Sequence, residues 1–122
     1  MKLFLITGSI LAATAVIFGA FGAHALKTRI SLEDLNIFET AVRYQMYHAL
    51  GILLLGVTSF FLTEKLVSTP AYFLIFGVIV FSGSLFLLVF TNLRWFGAIT
   101  PIGGLCLIIG WLLFAYNIYF HA

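Results

Sequence analysis

Four long stretches of this 122-residue sequence contain no charged side chain. They cover residues 3–26, 44–63, 66–93 and 95–122. About 20 apolar helical residues are enough to cross the hydrocarbon layer of a membrane, which is about 30 Å thick. Only 8% of the residues are charged and 63% are hydrophobic, which is far from the composition of a soluble domain. The pattern therefore excludes a soluble globular fold and a nucleic-acid-binding module.

We predict an all-α integral membrane protein, a four-helix bundle that forms a single domain over residues 1–122. In the third and fourth spans, Thr69-Pro70 and Thr100-Pro101 place a capping hydroxyl before a proline, which is typical of a helix start. The first apolar stretch follows Lys2 like a signal peptide, but its length favours a retained helix. The predicted spans are about 3–26, 44–63, 70–91 and 101–120.

Residues 27–43 form the linker between the first two spans and carry six of the ten charges. Leu32, Leu35, Phe38 and Val42 fall on one helical face, and polar residues fall on another. We expect an amphipathic interfacial helix here, lying along the membrane surface. No helix breaker separates it from the second span, so it is predicted to continue into that span.

Small residues mark two segments for close helix packing. Such residues allow neighbouring membrane helices to approach each other, and serine hydroxyls can bond across a helix pair. The predicted packing residues are Ala15, Gly19 and Ala23 in the first span and Ser82, Gly83 and Ser84 in the third.

Antiparallel spans bring most of the unusual polar residues to one membrane face. His24 lies close to Lys27, and His48 lies close to Arg43, so we expect the two imidazoles at a similar depth. Tyr44 and His48 share one helical face, and Gln45 lies at its edge. The predicted ligand-binding residues of this region are His24, Tyr44, Gln45 and His48.

The start of the fourth span is a second candidate region on the same face. Thr100, Gly103 and Gly104 open a helix whose free N–H groups attract anions, and Arg94 precedes them. A lipid phosphate or another small anion fits this pattern. A capped helix start with close glycine packing explains the same residues.

Three functions remain open. One is a non-catalytic protein that associates with copies of itself or with other membrane proteins, and one is a binding or transport site for an anionic lipid or small polar molecule. The third is a redox protein that holds haem or quinone between His24 and His48. The sequence contains no catalytic triad, carboxylate pair or phosphate loop, so we predict no catalytic residues, no metal and no cofactor. Expected partners are membrane lipid and membrane proteins, not nucleic acid.

Four motifs resemble one family of small bacterial membrane proteins. They are GAFGAHAL (residues 19–26), FETAVRYQMYHA (38–49), FSGSLF (81–86) and ITPIGG (99–104), followed by Gly110-Trp111. The sequence resembles domain of unknown function 423, also called uncharacterised protein family 0382, which is related to eukaryotic transmembrane protein 256. This resemblance implies a four-helix, multi-pass protein of the bacterial inner (plasma) membrane. It implies no established activity.

Overall fold

The computed structural model describes residues 2–122 and is all-helical over that range. Four long helices follow one another. They are α1 (Lys2–Leu26), α2 (Leu32–Thr58), α3 (Glu64–Thr91) and α4 (Thr100–His121). A short 3₁₀ helix, Arg94–Ala98, precedes α4. The segments Lys2–Leu26, Glu64–Thr91 and Arg94–His121 are long and apolar enough to cross a membrane.

The amphipathic linker continues without a break into the second span, as the sequence predicts. It is the first part of α2, which is helical from Leu32 to Thr58. Ser31 caps this helix by accepting a hydrogen bond from the Asp34 backbone N–H at 3.1 Å. Phe38 and Ala41 are fully buried against neighbouring helices. Part of the apolar stripe of the linker therefore packs against protein, while Leu32 at its start is 75% exposed.

The prediction that the third helix begins at Thr69-Pro70 is wrong, because α3 begins at Glu64 and Pro70 lies inside it. Proline has no N–H to donate to the carbonyl four residues earlier, which here belongs to Leu66. Asn117 of α4 supplies the missing donor, because its Nδ2 donates to the Leu66 carbonyl oxygen at 3.0 Å. A tertiary contact thus makes an internal proline tolerable.

Helices α1 and α2 run antiparallel with small residues between them. A Cβ atom added to Gly8 would lie 2.7 Å from Leu53 Cγ, and one added to Gly22 would lie 3.0 Å from Phe38 Cζ. Ala15 is buried in this seam. The other two predicted packing residues of α1 also lie close to neighbouring side chains. A Cβ atom added to the exposed Gly19 would lie 3.2 Å from Val42 Cγ1, and the half-buried Ala23 packs against the cluster that contains Phe38. A π-helical segment, Phe18–Gly22, interrupts α1 at this level.

Serine side chains connect α3 to its neighbours on both sides. Ser82 Oγ donates to the Ala41 carbonyl oxygen at 2.7 Å, and Ser84 Oγ lies 2.6 Å from Thr100 Oγ1. Gly83 does not join them. A Cβ atom added there would meet nothing within 4 Å.

Glycines let α4 lie directly against α3. A Cβ atom added to Gly103 would collide with the Phe81 backbone and lie 2.8 Å from the Gly77 carbonyl oxygen. Leu107 packs over Gly77. The main apolar core spans all four helices and consists of Phe4, Ile52, Leu55, Val67, Ala71, Leu74, Val78 and Leu107.

Candidate functional site

His48 is buried in α2 and uses both ring nitrogens. Its Nδ1 lies 2.8 Å from the Tyr44 carbonyl oxygen, and the indole nitrogen of Trp111 lies 3.1 Å from its Nε2. An indole N–H can only donate a hydrogen bond, so Nε2 accepts it. The ring proton is then on Nδ1, which donates to the carbonyl oxygen. His48 is therefore held as a neutral imidazole in one tautomer.

A groove of about 340 Å³ lies beside this pair, between α2, α3 and α4. Aromatic side chains form most of its wall: the Tyr44 ring centroid is 4.5 Å from that of Phe81 and 6.1 Å from that of His48. We call it the aromatic groove. Its lining residues are Tyr44, His48, Phe81, Gly104, Leu107, Ile108 and Trp111.

Gly104 leaves the aromatic groove open along α4. A Cβ atom added there would lie 3.7 Å from Phe81 Cδ2, which is an ordinary contact. The aromatic groove thus brings together three of the residues that were predicted to bind a ligand, namely Tyr44, His48 and Gly104. The groove offers flat aromatic faces and aliphatic walls, which suit an apolar ligand.

Gln45 points the other way, towards α1. Its Nε2 donates to the Leu11 carbonyl oxygen at 2.9 Å and to Thr14 Oγ1 at 2.7 Å. It is almost fully buried between the two helices. The structure makes Gln45 a helix–helix contact rather than a member of the aromatic groove.

His24 lies far from His48, which corrects the expectation of a shared depth. The bond from Gln45 to Leu11 places His48 beside the first half of α1. His24 follows Leu11 by thirteen residues, about 20 Å along a helix. The side chain of His24 is exposed. The two imidazoles therefore cannot hold one haem or quinone between them.

The predicted anion site at the start of α4 is occupied by structural contacts. Arg94 donates to both carboxylate oxygens of Asp34, at 2.8 and 3.1 Å, and to Asn92 Oδ1 at 2.7 Å. Thr100 lies within hydrogen-bonding distance of Ser84, and Gly103 is pressed against Phe81. Arg94, Thr100 and Gly103 thus join helices and loops instead of forming an open anion site.

Phe81 and Trp111 complete the aromatic groove. Neither was predicted to bind a ligand, although both belong to the motifs FSGSLF and Gly110-Trp111 that carry the family resemblance. A general signal exists for Trp111, because a buried indole N–H requires an acceptor. The acceptor is on another helix, so the pairing with His48 depends on the packing of α2 against α4.

The family described as "Protein of unknown function (DUF423)" matches residues 18–104, well over half of the chain. This chain belongs to the DUF423 family. The resemblance predicted from the four motifs is thereby confirmed. The match includes Tyr44, His48, Phe81 and Gly104 of the aromatic groove.

Relatives of this DUF423 chain cover nearly its full length. UPF0382 membrane protein SSP2132 of Staphylococcus saprophyticus is 48% identical over 113 residues, which is 93% of each chain. UPF0382 membrane protein YwdK of Bacillus subtilis is 43% identical over 118 residues, again 93% of each chain. Both names describe membrane proteins and specify no activity. No solved structure matches this chain.

The ion pair between Asp34 and Arg94 predicts a pH-dependent stability of this DUF423 protein. Hydrogen bonds from Arg94 lower the pKa of the Asp34 carboxyl below its ordinary value of 3.8. A carboxyl with a lowered folded-state pKa stabilises the fold above its unfolded pKa and loses that contribution as pH falls through the folded pKa. We expect Asp34→Asn to lower the Tm at pH 6, and we expect its difference from wild type to shrink as the pH falls below 3.8.

Thermal unfolding in detergent, followed by circular dichroism between pH 3 and pH 7, measures this difference. Glu33→Gln is the matched control, because it removes a neighbouring exposed carboxylate outside the ion pair. An equal loss of Tm for both variants at pH 6 would contradict the prediction.

Proposed function

We propose that this DUF423 protein is a multi-pass protein of the bacterial plasma membrane, folded as a four-helix bundle. Three of its helices have the length and composition of membrane spans, and its relatives are named membrane proteins. The fourth span in this proposal is the second half of α2, which packs along both α1 and α3. Every buried side-chain nitrogen and oxygen among residues 2–122 has a hydrogen-bond partner, which supports an interior without water.

We further propose that the protein is non-catalytic and binds the apolar part of a membrane lipid in the aromatic groove. The observation that carries this proposal is the convergence of Tyr44, His48 and Trp111 around one opening between three helices. The hydrogen bonds of His48 fix its ring in place, so the groove wall is rigid. No atom of that imidazole remains available for acid–base chemistry.

The size of the groove suits part of an acyl chain or an isoprenoid tail. Its volume of about 340 Å³ lies at the lower end of the range of about 300–1,000 Å³ that is usual for ligand pockets. Aromatic faces and leucine and isoleucine side chains make favourable dispersion contacts with methylene groups. The aromatic groove therefore selects its ligand by shape rather than by charge.

A leucine at position 104 tests this proposal. The Gly104→Leu side chain would extend into the groove and displace about two methylene groups, each worth about 0.8 kcal/mol. We expect occupancy to fall about tenfold. The probe is phosphatidylcholine with a photoactivatable diazirine on its acyl chain, in nanodiscs that contain the protein. Peptide mass spectrometry then quantifies labelling of Tyr44 and Trp111 relative to the exposed Leu112.

Gly83→Leu is the matched control, because it adds the same side chain at a position with free space around it. In wild type and Gly83→Leu we expect the lipid probe to label the groove residues more strongly than Leu112. In Gly104→Leu we expect this difference in labelling to disappear. Equal labelling of the groove in all three proteins would overturn lipid binding in the aromatic groove.

Self-association is the other function that the sequence suggests, and the structure lends it less support. Its motivation is the small-residue face of α1. Gly8, Gly22 and the exposed Gly19 all lie against side chains of α2 within the same chain. We therefore favour lipid binding over association as the proposed function.

A further inference from the structure

A polar cavity of about 530 Å³ lies where α3 begins and α4 ends. We call it the polar cavity. Its lining residues are Thr63, Lys65, Leu66, Thr69, Leu113, Asn117 and His121. It is distinct from the aromatic groove. Leu113 and Trp111 are two positions apart on α4, so they point to nearly opposite sides of that helix. The polar cavity also lies closer to the helix ends.

Asn117 presents an unpaired acceptor to the polar cavity. The Leu66 carbonyl oxygen can only accept a hydrogen bond, so the Asn117 atom facing it must be Nδ2. The other amide atom, Oδ1, makes no hydrogen bond with residues 2–122. Asn117 is only 9% exposed, yet Oδ1 is not sealed from the cavity. Because Oδ1 is accessible from the cavity, it can accept a hydrogen bond from a ligand.

The other polar side chains of the cavity can each donate a hydrogen bond, and they are Thr63, Lys65, Thr69 and His121. Lys65 forms no ion pair among residues 2–122. The ion pair found in that range joins Arg94 to Asp34. The hydroxyls of Thr63 and Thr69 make no hydrogen bond within that range either. Glu64 follows Thr63 but does not line the cavity. One face therefore combines an ammonium group, two hydroxyls and the Asn117 acceptor.

We propose that the polar cavity binds a phosphate ester that also carries a free hydroxyl group. Lys65, with the hydroxyls of Thr63 and Thr69, would bind the phosphate oxygens through charge-assisted and neutral hydrogen bonds. The ligand hydroxyl would donate to Asn117 Oδ1. A glycerophospholipid headgroup and a free glycerol phosphate share this chemistry. This site is additional to the proposed binding of an apolar chain in the aromatic groove.

Native mass spectrometry of the detergent-solubilised protein tests the proposal. The probes are phosphatidylglycerol and phosphatidylmethanol with the same acyl chains, because both carry one negative charge and only the first has free hydroxyls. We expect wild type to bind phosphatidylglycerol more strongly. Lys65→Gln should weaken that binding about tenfold, since it removes one charge-assisted hydrogen bond. Lys27→Gln, the matched control, removes an exposed lysine from the opposite end of the molecule.

Equal binding of the two lipids by wild type, or equal binding of phosphatidylglycerol by Lys65→Gln and Lys27→Gln, would overturn the proposal. Thr69→Val is a second variant, expected to weaken binding without changing charge. Added glycerol 3-phosphate distinguishes the two ligand sources: competition indicates that the free ester binds, and Lys65-dependent binding without competition indicates the membrane lipid. Gly104→Leu should keep the preference for phosphatidylglycerol, so this result is independent of the aromatic groove.

Discussion

Gly103→Ala is expected to destabilise the protein by about 3 kcal/mol, because a methyl group at this position collides with backbone rather than with a mobile side chain. The added Cβ would meet the Phe81 backbone and the Gly77 carbonyl oxygen. Neither can move without displacing α3 along its contact with α4. Unfolding in mixed micelles of a mild detergent and sodium dodecyl sulfate, followed by circular dichroism, measures the free energy.

Gly104→Ala is the matched control for this prediction. It makes the same change at the next position of α4, where the added Cβ would lie 3.7 Å from Phe81 Cδ2. Both variants lose the same backbone flexibility in the unfolded chain, so the difference between them reports the collision. Similar unfolding free energies for the two variants would show that α3 and α4 are not in direct contact at Gly103.

Asn117→Leu is expected to cost about 1–3 kcal/mol, the penalty for leaving a buried polar group unpaired. The group is the Leu66 carbonyl oxygen, which receives a hydrogen bond from Asn117 because Pro70 has none to give. The prediction is specific to this proline. In a Pro70→Ala background the new backbone N–H can bond to Leu66, so the same substitution should cost much less.

A double-mutant cycle over Pro70→Ala and Asn117→Leu separates this effect from simple loss of packing. The free-energy cost of the volume lost at the buried Pro70 occurs in both arms of the cycle and cancels, so the coupling energy between the two positions remains. We expect a coupling of about 1–2 kcal/mol, measured by the same micelle unfolding. Additive costs would mean that Asn117 stabilises the protein by a route other than the Leu66 carbonyl.

The distribution of charge predicted the helical class of this protein, because an uncharged stretch of 20 or more residues has few other structures available in lipid. It misplaced the start of α3. Pro70 is typical of a first helical turn, and the donor that allows it deeper in the helix, Asn117, is 47 positions away in the sequence. A local pattern cannot include such a partner.

The same limit applies to the candidate site. The four-residue spacing of Tyr44 and His48 predicted that they share a face, and both line the aromatic groove. The depths of His24 and His48 were inferred from Lys27 and Arg43, on the assumption that each of these charges marks a membrane edge. Arg43 instead lies well inside a helix that starts at Leu32. The predicted position of His48 relative to His24 was therefore wrong. Helix register, not composition, decides which residues meet.

Each pair of helices that follow one another shares a hydrogen bond from a side chain of the later helix to a backbone carbonyl of the earlier one. Gln45 of α2 donates to a carbonyl of α1, Ser82 of α3 to one of α2, and Asn117 of α4 to one of α3. The later helix always brings the donor, and the acceptor belongs to a helix made before it. During synthesis from the N-terminus, each new segment would thus arrive with a polar side chain whose partner is already in place. The order of the chain is also a workable order of assembly.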